Sequence, residues 1–320
     1  MINENKFNDS NLLKKIAGEL GYNVSEVTSK KNRLTLNISK NNKFYIANAG
    51  SYGYYPDNRR WHTALFKNKI QSGKLLKELG YSFVKSHDYT VSNLTLNEII
   101  SDLENLSFDF PIIIKPNDGM KGKDIKYIDT LSQLIKEATA RYEENCDFCV
   151  QPIIEDKEYR ILYVNNSVQV VHSKSLNVIT GDGYSSVEKL LSEQASHLSD
   201  NDFLQKELVN KGIDIESILE EGHNVKTHIT KITHGESVNE IYFNDNIPEA
   251  VKTWTSNLGK DLSSSVMGID IFATDINNPD TFKIIEINSN PAFSYIVNKF
   301  NGYNEIKKMW EDTLSAYFSN

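Results

Sequence analysis

The chain has 320 residues, with 35 Lys and Arg against 43 Asp and Glu, a formal net charge of −8 and both signs spread along its length. That balance argues against a nucleic-acid or membrane-surface protein, and the length allows a large core in two or three lobes, since single cores stop growing near about 250–300 residues. Apolar runs such as Phe110 to Ile114 fall far short of the about 20 residues a membrane helix needs, and the opening MINENKFNDS lacks a signal-peptide core, so a cytoplasmic protein is expected.

Residues 11–22, NLLKKIAGELGY, carry apolar positions at helical spacing and end in glycine, which predicts a helix with a C-cap. RLTLNIS and KFYIANA alternate around KNN and predict a hairpin. A second helix is expected over 67–83, closed by Gly80. FPIIIKP reads as a short strand stopped by Pro116. DTLSQLIKEATARYEEN follows as a helix, and then three strands, FCVQPII, YRILYV and SVQVVHS. Cys146 and Cys149 form a C-x-x-C, but they are the only cysteines, with no second pair and no βαβ redox context. No disulfide framework is expected, and Cys149 reads as a small hydrophobe in its apolar run. Gly181-Asp182-Gly183 makes a turn ahead of a helix for which Ser185 or Ser186 is the candidate N-cap. PEAVKTWTSNLGKDLS begins a helix with proline in its first turn. VMGIDIFAT and FKIIEINS are strands, and a terminal helix starts near Tyr303. Helices and strands interleave throughout, which predicts an α/β or α+β chain.

Four segments carry residues suited to chemistry. The loop NDGMKGKDI, 117–125, joins two strands and combines Gly119 and Gly122 with Lys121 and Lys123. Glycines let backbone N–H groups approach a phosphate, and lysines add charge. The loop is neither a Walker P-loop nor a dinucleotide fingerprint, and alone it reads more readily as a Gly/Lys hairpin turn. VQPIIEDKEYR offers an extended apolar backbone for an adenine edge, a carboxylate at Glu158 for ribose hydroxyls, and a guanidinium at Arg160 for phosphate or carboxylate. An edge strand with an ordinary surface Glu–Arg pair is the alternative. In KIIEINSNPAF, Glu286 and Asn288 sit two apart on a strand, so both point to one face. With Asp270 from MGIDIFATD they form an oxygen-donor set of the kind that holds Mg²⁺ beside substrate phosphates. The seven histidines show no ligand spacing.

In this order the segments resemble the ATP-grasp superfamily, and within it the ATP-grasp modules of cyanophycin synthetase and of the fused, bifunctional glutathione synthetases. NKIQSGKLLKELGYSF is similar to the family's D-K-x-x-T-K-x-L-L stretch, IIIKPNDGMKGKDI to V-V-K-P-x-x-G-x-x-G, and QPIIEDKEYRILYV to E-x-x-I-x-G-x-D/E-x-R-x-L-V. SKSLNVITGDGYSSVEKLL is similar to R-x-P-A-N-V-x-G-D-G-x-x-T-V-x-E-L-I, a signature of this branch. MGIDIFATD and IIEINSNPAF are similar to G-V-D-I-I and I-I-E-V-N-x-N-P. The likeness spans roughly residues 60 to 300. It implies an ATP-grasp fold in which a small N-terminal α/β segment precedes two α+β lobes that clasp ATP between them. The expected division is 1–105 for the N-terminal region with a linker helix, 106–180 for the small lobe with its Gly/Lys lid, and 181–320 for the large lobe with the metal site.

The resemblance implies an ATP-dependent, ADP-forming ligase that activates a carboxylate as an acyl phosphate and joins it to an amine. Lys69, Lys115 and the loop residues Gly119, Lys121, Gly122 and Lys123 would contact phosphates. Gln151, Ile153 and Ile154 would take adenine, and Glu158 the ribose. Asp270, Glu286 and Asn288 would ligate Mg²⁺, two ions by the family pattern, with Mn²⁺ as a substitute. Arg160 and Lys174 would be catalytic, and Asn177, Gly235 and Asn290 would face substrate. The chain departs from the family pattern at several positions, the last of which fall where substrate would be read. Lys174 stands in place of arginine, Gln151 in place of glutamate, Glu155-Asp156 in place of a Pro-Gly turn, Asn68 in place of aspartate, and KITHGESVNE keeps one glycine, Gly235. The substrate class is an amino acid or small peptide, with a ribosomal precursor peptide or other protein as another acceptor, and a homo-oligomer is compatible with the family. The competing readings are a kinase on the same scaffold, needing no amine, and a nucleotide-sensing binding module.

Overall fold

The computed structural model describes residues 7–28, 34–48, 53–57, 59–117, 124–194, 202–232 and 240–319. In chain order the elements are α1 (Asp9–Glu19), β1 (Asn23–Thr28), β2 (Leu34–Lys40), β3 (Lys43–Asn48), α2 (Arg60–Lys67), α3 (Lys69–Glu78), β4 (His87–Tyr89) and α4 (Leu96–Glu104). Then come β5 (Ile112–Pro116), β6 (Lys126–Ile128), α5 (Leu131–Glu143), β7 (Phe148–Pro152), β8 (Lys157–Val164), β9 (Ser167–Ser173) and β10 (Ser175–Thr180). The remainder is α6 (Val187–Gln194), α7 (Asp202–Asn210), β11 (Asn224–Ile232), β12 (Ile241–Phe243), α8 (Glu249–Asp261), β13 (Val266–Ala273), β14 (Lys283–Asn288), α9 (Ser294–Phe300) and α10 (Tyr303–Ser319). The expected mixed α and β content is present. No helix among the described residues is long and apolar enough to cross a membrane.

Two compact units interleave along the chain. One comprises Met1–Phe83, Asp156–Ser173 and Glu240–Asn320, and the other Val84–Glu155 and Lys174–Asn239. The first is organised on a five-stranded antiparallel sheet in the order β12-β9-β8-β13-β14. Side chains alternate across it. Tyr159, Ile161 and Tyr163 of β8 and Met267, Ile269 and Ile271 of β13 face one core, completed by Phe66, Leu76, Val251 and Leu258 of the helices α2, α3 and α8. The opposite face is apolar at one end, where Leu162, Val164, Val170 and Val266 pack with Leu12 and Ile16 of α1, Leu36 and Ile38 of β2, and Phe293 and Trp310. Two residues before Leu162 on β8 and four after Val266 on β13, that same face turns polar, at Arg160 and Asp270.

The three-stranded sheet β1-β2-β3 closes its β2–β3 hairpin through Asn41 and Asn42, both at positive φ, 50° and 63°, where asparagine is among the few tolerant side chains. The expected single helix over 67–83 is two helices. Asn68 leaves helical conformation at φ −95°, ψ 97°, and its side chain accepts from the Gln71 N–H at 3.0 Å to cap α3. Asparagine competes for the backbone in this way and so starts helices better than it continues them.

The second unit holds a four-stranded sheet, β4-β7-β5-β6, and a two-stranded ladder, β10-β11. Ile112, Ile114, Phe148 and Val150 face Ile99 and Leu103 of α4 and Leu134 and Ala138 of α5. By alternation the other face carries Ile113, Lys115, Cys149 and Gln151, with Lys115 directly opposite Cys149 and Ile113 opposite Gln151. Cys149 is therefore buried, but on the lysine face instead of in the apolar core. The helices α6 and α7 pack on the β10–β11 ladder through Leu190, Leu191, Leu204 and Leu208 with Ile179 and Val225. Of the two candidate caps for α6, Ser186 accepts from the Lys189 N–H at 3.3 Å.

Candidate active site

The polar end of the five-stranded sheet is a row of directly opposed residues. His172 on β9 faces Arg160 on β8, Arg160 faces Asp270 on β13, and Asp270 faces Glu286 on β14. Directly opposed residues in an antiparallel sheet share a face and lie about 4.5–5.5 Å apart, so the register alone assembles a line of base, cation and two carboxylates. Asn288 lies two positions beyond Glu286 and donates from its amide to Oε1 at 3.2 Å. Lys69, the first residue of α3, brings Nζ to 3.4 Å from the other carboxylate oxygen.

Arg160 and Asp270 form a two-pronged pair: Nη2 donates to Oδ2 at 2.8 Å, and Nε lies against Oδ1. Asp270 is almost wholly buried, at 1% exposure, while Arg160 is half-buried. Burial opposes the guanidinium charge, and the Asp270 carboxylate, with Tyr295 and Glu286, more than restores it and raises the Arg160 pKa above its ordinary value. Sequence reasoning passed over Gly268, two residues before Asp270. A Cβ there would stand 2.7 Å from Cβ of Pro291 and 3.2 Å from Nη1 of Arg160, so only glycine leaves room for both. A strand glycine spaced two from a site carboxylate was the available signal. Further along, Tyr55 donates to the Pro291 carbonyl at 2.9 Å and the Tyr54 N–H donates to Oδ1 of Asn290 at 2.8 Å. Asn290, expected to face substrate, thus spends its amide oxygen on holding the loop after β14.

On the second unit, Lys115 and Gln151 are buried on the shared face of β5 and β7. Ile153 and Ile154 are half-buried in the segment after β7. Glu158, back on β8 of the first unit, is buried two positions from Arg160. Lys174 is half-buried between β9 and β10, and Asn177 falls at the register break between Leu176 and Val178 of β10. Gly119, Lys121, Gly122, Lys123 and Gly235 lie outside the described residues.

The donors offered by Asp270, Glu286 and Asn288 are hard oxygens, the set that suits Mg²⁺ or Mn²⁺. Among the described residues no group of three or more His, Cys, Asp or Glu gathers to hold a metal. Two carboxylates and an amide make an incomplete shell, which is what Mg²⁺ accepts when phosphate oxygens supply the rest. The site fits the ion on those terms.

Most of the chain is similar to two kinds of known synthetase. Over 277 residues it is 24% identical to the bifunctional glutathione biosynthesis protein of Clostridium perfringens, covering 80% of this chain and 34% of that one. Over 224 residues it is 26% identical to the cyanophycin synthetase of Synechocystis, covering 62% and 24%. The crystal structure of a bifunctional glutathione synthetase from Pasteurella multocida superposes with a TM-score of 0.53 over 90% of this chain and 42% of that one, at 16% identity. The chain spans about a third of the length of the curated relatives it matches. No family model matches it. The likeness to these two synthetases, drawn above from ordered motifs, extends over 62–80% of the chain in sequence, and the fold is the ATP-grasp fold.

Proposed function

We propose that this chain is an ATP-dependent carboxylate–amine ligase, forming an amide bond on an amino acid or peptide through an acyl phosphate and releasing ADP. The observation that carries the reading is the row Arg160–Asp270–Glu286, with Asn288 and Lys69 on it. A purely structural ion pair has no use for a second carboxylate, an amide and a lysine converging at the same sheet end.

In this reading Lys69 and Lys115 hold phosphates, Gln151 to Ile154 take adenine, Glu158 takes ribose, and the Gly119–Lys123 loop covers the triphosphate against water. Asp270, Glu286 and Asn288 hold Mg²⁺, two ions by the family pattern, which when bound neutralises charge on the transferring phosphoryl group. Arg160 meets the charge that grows on the phosphoryl group and then on the tetrahedral oxyanion, and Asp270 keeps the fork aimed in advance. Lys174, Asn177 and Gly235 meet the substrates in this reading, while Asn290 holds the loop after β14. At Lys174 a substrate carboxylate meets a point charge and not a fork, which loosens its geometric demand. A reaction drawing on ATP suits the cytoplasm, and an amino acid, a small peptide or the end of a larger peptide meets the chemistry.

The test is ADP release from Mg²⁺-ATP with a panel of amino acids and small peptides, with and without hydroxylamine. Hydroxamate formation that depends on one carboxylate establishes the acyl phosphate and identifies the donor. ADP release that ignores every amine and yields no hydroxamate replaces the ligase with a phosphotransferase. Failure to bind Mg²⁺-ATP in calorimetry overturns the reading altogether.

A further inference from the structure

The sheet end supplies its own donors to the carboxylates expected to hold metal. Oε1 of Glu286 accepts from the Asn288 amide at 3.2 Å, and the Lys69 ammonium lies 3.4 Å from Oε2. On Asp270, Nη2 of Arg160 donates to Oδ2 at 2.8 Å and Nε lies against Oδ1. Every carboxylate oxygen of the set therefore faces a donor of the chain itself, and the two carboxylates are balanced by two cations.

The two pairs differ in how firmly they hold. Arg160 grips the buried Asp270 with two prongs of a planar fork. The Lys69 and Glu286 side chains keep 17% and 28% of their surface exposed and meet through a point charge on a flexible four-carbon stem. The base of that stem is fixed, because Lys69 is the first residue of α3 and Asn68 caps the helix. A cation there stands at the positive end of the helix dipole, with no acidic residue in the first turn, so an anion opposite it is favoured. Glu286 is that anion.

We propose that Lys69 holds the place of the metal on Glu286 and yields it only to nucleotide, so that the site takes Mg²⁺ together with a triphosphate and not ahead of it. An ammonium and a divalent cation compete for the same carboxylate oxygen. A bare ion meets a sheet end whose charge is already balanced, and it must take Glu286 from Lys69 without supplying a replacement anion. Phosphate oxygens change both conditions. They offer the ammonium a charged acceptor, and they bring the negative charge and the oxygen ligands that the ion needs. The inference rests on the ligase reading for the roles of Lys69 and Glu286, and goes beyond it in making the two depend on each other.

Mn²⁺, followed by the loss of its free EPR signal, tests this on the full-length protein without turnover. Lys69→Met keeps the stem and removes the charge. Its affinity for Mn²⁺ alone is expected to rise about 10-fold over wild type, the size of one charge contact at this distance once solvent screens it. Its affinity for the Mn²⁺ complex of a non-hydrolysable ATP analogue is expected to fall. Lys69→Arg, which keeps a cation in place, stays near wild type for Mn²⁺ alone. Adding Glu286→Gln to Lys69→Met cancels the gain, which locates it on that carboxylate and not elsewhere on a chain of net charge −8. A Lys69→Met chain that binds Mn²⁺ no more tightly than wild type overturns the proposal. So does a wild type that binds Mn²⁺ as tightly without the analogue as with it, a comparison that needs no variant. Either result leaves the ligase reading standing as long as wild type binds the Mn²⁺–analogue complex; a wild type that does not bind that complex overturns both.

Discussion

At the scale of single residues, two carboxylates in one row are expected to fail differently. Glu286 is half-buried and answers Lys69 and Asn288. Glu286→Gln keeps the shape and one acceptor oxygen for the two donors, Asn288 and Lys69, so the variant folds and loses Mg²⁺-ATP turnover by about 100-fold or more, the cost of removing one preorganised charge partner. Full turnover with unchanged Mg²⁺ dependence would contradict the assignment. Asp270 is buried against Arg160, so Asp270→Asn strands a charge; denaturant titration is expected to show about 3 kcal/mol of lost stability along with the lost rate. Gly268→Ala tests packing at the same spot. Its Cβ must displace Pro291 or Arg160, and a melt near wild type with full activity would show that neither matters. Asp270, Glu286, Asn288 and Arg160 were legible because strand alternation converts spacing into a shared face. Gly268 and His172 were not, since their meaning lies in which strands become neighbours, and β8, β9, β13 and β14 are brought together across more than a hundred residues of chain.

Among elements, α3 shows why a polar departure from a family pattern can be harmless. Asn68 stands where the relatives' motif has aspartate, and it caps the helix that starts with Lys69. The two side chains are near-equal caps. Asn68→Asp is therefore expected to be neutral in stability, whereas Asn68→Ala costs about 1 kcal/mol and loosens the turn that aims Lys69, read as a raised KM for ATP. The same asparagine is what divided the expected helix over 67–83 into two, a local backbone competition that apolar periodicity does not register. A second tether joins α2 to α8: the buried His62 donates from Nε2 to the Leu262 carbonyl at 3.0 Å, beyond the end of α8. Burial holds the His62 pKa below the ordinary 6.5, against a smaller opposing pull from that carbonyl. The folded state thus binds this proton less readily than the unfolded one. Its contribution is complete above about pH 6.5 and is lost as the pH falls below it. Melting temperatures from pH 8 to pH 5 are expected to drop less in His62→Gln than in wild type; equal slopes would remove His62 from the account.

For the whole molecule, the question is whether the N-terminal elements are an appendage to the five-stranded sheet. Motif likeness begins near residue 60, which invites trimming the chain to that point. Packing argues otherwise. Leu12, Leu13, Ile16, Leu36, Ile38 and Tyr55 are all essentially unexposed, and they share one core with Leu162, Val164 and Val266 of the five-stranded sheet and with Phe293 and Trp310. Tyr55 stacks on Trp310 at 5.2 Å, and its hydroxyl holds Pro291. Asp9 caps α9 and Tyr54 holds Asn290, so the segment after Glu286 and Asn288 is fixed from the N-terminal side. Burying each such side chain contributes about 1.5–3 kcal/mol, and together they are of the same size as the whole stability of a typical domain, about 5–15 kcal/mol. A chain begun at Arg59 would leave one face of the sheet, from Val164 to Phe293, open to water. It is expected to lack a cooperative melt and to bind Mg²⁺-ATP no better than background. A cooperative transition with wild-type nucleotide affinity in that fragment would mean that the sheet end builds its site without the N-terminal core, and that the Asp9, Tyr54 and Tyr55 contacts only decorate it.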